Sequence, residues 1–169
     1  RSFFQEIKIK KYVLIDIPET LILAYQFLGR VLDKKILLTN QVSKDEFQEN
    51  DIILLSPINI SNLKEFNFDI LINTNSFGEF PYSTFLKYIE ELDECSNIKS
   101  LYSLNRFMNR IRRVDLNPRL DHLGHVFSFP KKFLIQNFCP DPNYERFDKS
   151  NYAVRSRNLE LFLTNSNNI

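Results

Sequence analysis

Two points in the chain set acidic or amide side chains directly after an apolar run and directly before a helical pattern. The first is Asp16, which ends Lys11–Asp16 (KYVLID) and precedes Pro18, Glu19 and Thr20. A carboxylate at the end of a strand can accept hydrogen bonds from both hydroxyls of a ribose. It can equally favour the dipole of the helix that follows it. The second point is Phe68–Pro81, FDILINTNSFGEFP. Its apolar start gives way to Asn73, Thr74, Asn75 and Ser76, passes Gly78 and reaches Glu79. Side-chain amides both donate and accept, so Asn73, Asn75 and the later Asn105 are candidate ligand contacts. Glu79 in a partly apolar setting would have a raised pKa and could take a proton from a hydroxyl nucleophile. The alternative is that it caps the helix beginning near Tyr82.

Other constellations are weaker. His122 and His125 are the only histidines, and their HxxH spacing has no further ligands to make a metal site. No metal is expected. Arg106, Arg110 and Arg113 fall at i, i+4 and i+7. One basic helix face would result, able to meet a diphosphate through bidentate contacts or simply to be solvated. The two cysteines, Cys95 and Cys139, fit neither a metal-ligand spacing nor a disulfide framework, which points to a reducing compartment. Three glycines, Gly29, Gly78 and Gly124, stand where average usage of about 7% gives roughly twelve. They are too far apart to build a Gly-rich phosphate loop.

The elements that must position these residues alternate. Lys11–Asp16 reads as a strand inside a sheet, followed by a helix with Leu21, Ala24, Tyr25 and Leu28 at helical spacing and Gly29 as its C-cap. Lys34–Thr39 and Asp51–Leu55 are strands, with a loop or short helix over Asn40–Asn50. A helical turn over Ile60–Phe66 leads to the strand Phe68–Thr74, read as covered on both faces. Phe85, Leu86, Ile89 and Leu92 mark an amphipathic helix from Tyr82 to Leu92. Ile98–Ser103 is a further strand and Asn105–Arg113 a helix. Beyond Val114 the pattern weakens: Asn117-Pro118 is a turn, His125–Phe129 alternates as a strand, Phe138–Ser150 is irregular. Tyr152–Phe162 is a strand or a helix, and Asn165–Ile169 a frayed tail. Strand–helix alternation predicts an α/β fold with a mostly parallel sheet and flanking helices.

Composition excludes more than it assigns. With 43% hydrophobic and 25% charged residues the chain is an ordinary globular sequence of 169 residues, long enough for one domain with a real core. A formal charge of +1 gives no electrostatic case for nucleic acid. No apolar run approaches the ~20 residues of a membrane span, and Arg1–Lys10 does not read as a signal peptide. A cytoplasmic location is expected.

YVLIDIPETLILAYQFLG, then FDILINTNSFGEF, a helix with KYIEEL, and LYSLNR together resemble the putative sugar O-methyltransferase family. The resemblance covers roughly Lys11 to Arg106. It implies a class I, Rossmann-like sheet using S-adenosylmethionine. It makes Asp16 the ribose-binding acid, sets Ser56, Pro57 and Ile58 beside the adenine, and puts Asn73 at the methionine side. Asn75, Ser76, Tyr102, Asn105 and Arg106 would line the acceptor, a sugar or nucleotide-linked sugar, with Glu79 as general base. Tyr102, Asn105 and Arg106 would follow the fifth strand of that sheet. Two departures stand out. Phe80 replaces the family's usual Met, and the upstream strand with its Gly-rich turn has no counterpart. The expectation is a single methyltransferase-like domain over 1–169 lacking that first strand, either as an N-terminally truncated piece of a longer protein or as a degraded copy with half a cofactor site. The alternative function is a non-catalytic α/β binding or assembly module; self-association is left open.

Overall fold

A computed structural model describes residues 9–74, 76–77, 80–95, 97–106, 132–140, 146–147, 153–154 and 158–166. They fall into two compact units, Arg1–Leu63 and Lys64–Ile169.

The N-terminal unit is a three-stranded, wholly parallel sheet. Its strands are β1 (Tyr12–Ile15), β2 (Ile36–Thr39) and β3 (Ile52–Leu55), in the order β1-β3-β2. The central strand reads IILL, and all four side chains are fully buried, as an unbroken apolar run requires when both faces are covered. Helix α1 (Pro18–Val31) lays Leu21, Ala24 and Leu28 against Ile52 and Leu54. Pro18 stands in the first helical turn, where its missing N–H costs nothing. The short helix α2 (Lys44–Glu49) is fixed by a capping box. Ser43 Oγ accepts from Glu46 N–H, and the Glu46 carboxylate accepts from Ser43 N–H at 2.9 Å. Its C-terminal carbonyls are gathered by Lys11, whose ammonium donates to the carbonyls of Phe47, Gln48 and Asn50 and lies 5.0 Å from the Phe47 ring centre.

The C-terminal unit is a four-stranded sheet, β4 (Phe68–Thr74), β5 (Ile98–Arg106), β6 (Phe133–Pro140) and β9 (Asn158–Asn165), in the order β4-β5-β9-β6. β4 and β5 are parallel; β9 is antiparallel to both of its neighbours. Two-residue strands β7 (Arg146–Phe147) and β8 (Ala153–Val154) pair separately. Helix α3 (Tyr82–Glu94) covers one face with Phe85, Ile89 and Leu92, spaced i, i+4, i+7, upon Ile98, Leu101, Leu161 and Leu163. Fully burying a side chain such as Phe85 contributes about 2–3 kcal/mol. Lys132 caps this helix as Lys11 caps α2, donating to the carbonyls of Leu92, Asp93 and Cys95 at 2.7, 2.5 and 3.1 Å. Phe77 seals the edge of the core, with edge-to-face contacts to Phe80, Phe85 and Tyr88.

The α/β expectation holds, with parallel strands and flanking helices in place. Several local expectations do not. Gly29 is not a C-cap: α1 continues to Val31, and the Leu32 N–H closes it on the Leu28 carbonyl at 2.9 Å. The apolar Leu32 packs on the core and so carries the helix past the glycine. Tyr25 lies on the exposed side of α1, whereas Leu28 packs. The strand covered on both faces is β3, not β1 or β4. Among the described residues β1 and β4 each pair on one side only, and Ile70 and Ile72 of β4 are 45% and 46% exposed. Asn105 and Arg106 are strand, not helix, because β9 extends the ladder by pairing Leu159 with Asn105 and Asn158 with Arg106. Asn165 is no frayed end: it is fully buried and donates to the Ile98 carbonyl at 3.0 Å. Phe138–Pro140 belongs to β6 rather than to an irregular stretch. Arg110, Arg113, His122, His125 and the expected strand over His125–Phe129 lie outside the described residues.

Candidate functional site: two strand ends

In each unit the polar candidates gather at the C-terminal ends of parallel strands, where an open α/β sheet accepts ligands. The two ends are built differently.

In the N-terminal unit, Ile15 of β1 is in register with Leu55 of β3, so Asp16 and Ser56 occupy the next step side by side. Asp16 is half-buried. Its Oδ1 accepts from the Ile17 N–H at 2.7 Å, and no other partner reaches the carboxylate among the described residues. α1 begins without a side-chain cap. The carboxylate is therefore not engaged by the helix N–H groups, and a carboxylate has acceptor capacity for several more donors. Ser56 is buried, with its N–H on the Thr39 carbonyl at 3.3 Å. After Pro57 the chain turns in two short 3-10 segments that meet at a kink at Asn59. The Asn59 amide ties this segment to the end of β2 through the Asn40 carbonyl at 2.9 Å. Ile58, held between those points, is 80% exposed. An acidic group with a spare oxygen and a presented apolar side chain thus sit at adjacent strand ends.

In the C-terminal unit the polar groups are mutually engaged. Asn105 Nδ2 donates to Asn73 Oδ1 at 2.9 Å and to Ser103 Oγ at 2.7 Å. Asn73 Oδ1 also accepts from the Phe77 N–H at 3.3 Å, and Asn73 Nδ2 donates to Ser76 Oγ at 2.6 Å. Ser103 and Asn105 are buried, as amides and hydroxyls with satisfied hydrogen bonds can be. The network links β5 to the turn that leaves β4. Strand alternation puts Ser103 and Asn105 on the α3 face of the sheet with Leu101, and Tyr102 on the opposite face. Asn73, Ser76 and Asn105 are thus brought together, and Tyr102 is not with them. Arg106 continues β5. Asn75 and Glu79 lie outside the described residues.

Ser103 is the member of this network that sequence reasoning missed. The signal was present: once LYSLNR is read as a strand, period two places Ser103 and Asn105 on one face. Reading Asn105 as the start of a helix hid it. Among the described residues no group of three His, Cys, Asp or Glu is placed to hold a metal, and no helix is long and apolar enough to cross a membrane.

No family model matches the chain, and no curated protein matches it. Solved structures do match. One, described as the methyltransferase domain of bacterial CtHen1-CN, shares 13% identity over 96% of this chain and 94% of its own length, with a TM-score of 0.45. A superposition that coarse says nothing about chemistry. What the chain can do follows from its own residues.

Proposed function

We propose that the chain carries out S-adenosylmethionine-dependent O-methyl transfer to a sugar hydroxyl, on a nucleotide-linked or polysaccharide sugar, in the cytoplasm. The observation that carries the reading is Asp16: a strand-end carboxylate with acceptor capacity to spare, on the strand next to the one that is followed three residues later by an exposed Ile58. Two hydroxyls of a ribose and the face of an adenine are what such a pair fits. The sequence resemblance over Lys11–Arg106 adds to it.

On this reading Asp16 accepts from the ribose hydroxyls, while Ser56, Pro57 and Ile58 flank the adenine and Asn73 stands on the methionine side. The bound cofactor supplies an electrophilic methyl group on a sulfonium. The chain's own residues must then hold the sugar hydroxyl in line and remove its proton. Glu79 takes that proton on its carboxylate. Asn75, Ser76, Asn105 and Arg106 serve the acceptor side, by contact or by holding those that make contact; Tyr102, on the opposite face of β5, is left out of this group.

Incubation with methyl-labelled S-adenosylmethionine and a panel of nucleoside diphosphate hexoses tests the proposal. Label in a sugar ether, lost in Glu79→Gln, is expected. Absence of transfer to every acceptor, together with no binding of S-adenosylhomocysteine, would contradict it and favour a non-catalytic module.

A further inference from the structure

The Asn73–Asn105 pair is the centre of a hydrogen-bond network between β4 and β5. Asn105 Nδ2 donates to Asn73 Oδ1 and to Ser103 Oγ, with the Asn73 backbone carbonyl a longer third contact at 3.5 Å. Asn73 Oδ1 has two donors, the Asn105 amide and the Phe77 N–H, and Asn73 Nδ2 gives one hydrogen to Ser76 Oγ. An amide so engaged has one orientation: turning it over would set Nδ2 against two donors. Asn105 is buried, and its Nδ2 reaches across to Asn73 on β4 and back to Ser103 on its own strand. Downstream, Phe77 is buried and anchored among Phe80, Phe85 and Tyr88. Glu79 is two residues further along the chain.

We infer that Asn105, seated by Ser103, is a positioning residue that acts through Asn73 to latch the turn leaving β4 onto β5. Asn105 fixes the orientation of the Asn73 amide; the Asn73 oxygen then holds the Phe77 N–H and its nitrogen holds Ser76. The latch is indifferent to sugar or cofactor identity. Its use for catalysis rests on the methyl-transfer proposal, since the turn it holds leads into Glu79.

The chemistry of the pair makes a test that a merely space-filling role would not pass. In Asn105→Asp a carboxylate replaces the donor facing Asn73 Oδ1, so Asn73 must turn over and the Phe77 N–H loses its acceptor. In Asn73→Asp the new carboxylate still accepts from Asn105 and Phe77 and can accept from the Ser76 hydroxyl as well. Amide hydrogen exchange of the whole chain near pH 7 reads the difference. Asn105→Asp and Asn105→Leu should both speed exchange at Phe77 at least about tenfold, while Leu101 and Leu163 in the sheet ladder stay within about twofold. Asn73→Asp should keep Phe77 near its original rate. Unchanged Phe77 exchange in both Asn105 variants overturns the latch, and so does equal loss in Asn73→Asp. Uniformly faster exchange throughout β5 and β9 overturns it too, by showing a general packing role. S-adenosylhomocysteine titration of the unmodified chain keeps the two ideas apart, because failure there removes the methyl-transfer reading and leaves the exchange result standing.

Discussion

The two units share a support and differ in what the support presents. In each, a lysine just before a strand donates to three carbonyls at the C-terminus of a helix: Lys11 on α2 and Lys132 on α3. Each lysine satisfies carbonyls that a helix end otherwise leaves to water and places a cation at the negative pole of the dipole. At the opposite, C-terminal ends of the parallel strands the resemblance stops. The N-terminal unit ends in a carboxylate with spare acceptor capacity and an exposed isoleucine, the C-terminal unit in amides and hydroxyls that satisfy one another. The first end leaves acceptor capacity uncommitted among the described residues. The second is arranged to hold its own turn in place. Polar residues at a strand end do not by themselves announce a ligand; whether their hydrogen bonds are already used decides.

The largest effect that would break this contrast is in the closed end. Asn73→Leu leaves the Asn105 amide and the Phe77 N–H without their acceptor, and should lower stability by about 1–3 kcal/mol in urea denaturation. A change inside about 0.3 kcal/mol would mean that the network is not structural. Next come the shared supports. Lys132→Met should cost about 1–2 kcal/mol and Lys11→Met about 1 kcal/mol, since the Lys132 side chain is the well-buried one, 12% exposed. Equal costs would show that burial of the cap does not matter.

The smallest effect is a pH signature confined to the N-terminal unit. Hydrogen bonds from the Ser43 backbone and then its hydroxyl hold the Glu46 carboxyl below the usual glutamate range. A folded value below the unfolded one means the box stabilises fully above the unfolded pKa and loses its contribution as pH falls through the folded one. Titration of Glu46 by NMR should therefore show a midpoint that rises in Ser43→Ala; an unmoved midpoint would remove the box as the cause.

Strand–helix alternation was legible because apolar runs such as Ile52–Leu55 and helical spacing such as Phe85, Ile89 and Leu92 are local patterns. The strand ends were legible as places, since Asp16 and Asn73 stand where an apolar run stops. What could not be read was pairing. Nothing local in KYVLID or FDILINT says that β1 and β4 pair on one side only among the described residues. Nothing in LYSLNR says that a distant segment, Asn158–Asn165, would extend it as a strand past Ser103. That one long-range pairing converted Asn105 from a helix start into the donor that fixes Asn73. The capping box Ser43–Glu46 was, by contrast, a legible S-x-x-E signal for α2 within a stretch read as a loop or short helix.

The central claim is that the Asp16 end is open for a ligand. Calorimetric titration of S-adenosylhomocysteine into the unmodified chain and into Asp16→Ala tests it most directly. The account predicts measurable binding, weakened at least about tenfold in Asp16→Ala by loss of a charge-assisted hydrogen bond, with folding stability changed by no more than ~0.5 kcal/mol. Equal affinity in the two proteins, or no heat from the unmodified chain at millimolar ligand, would contradict it.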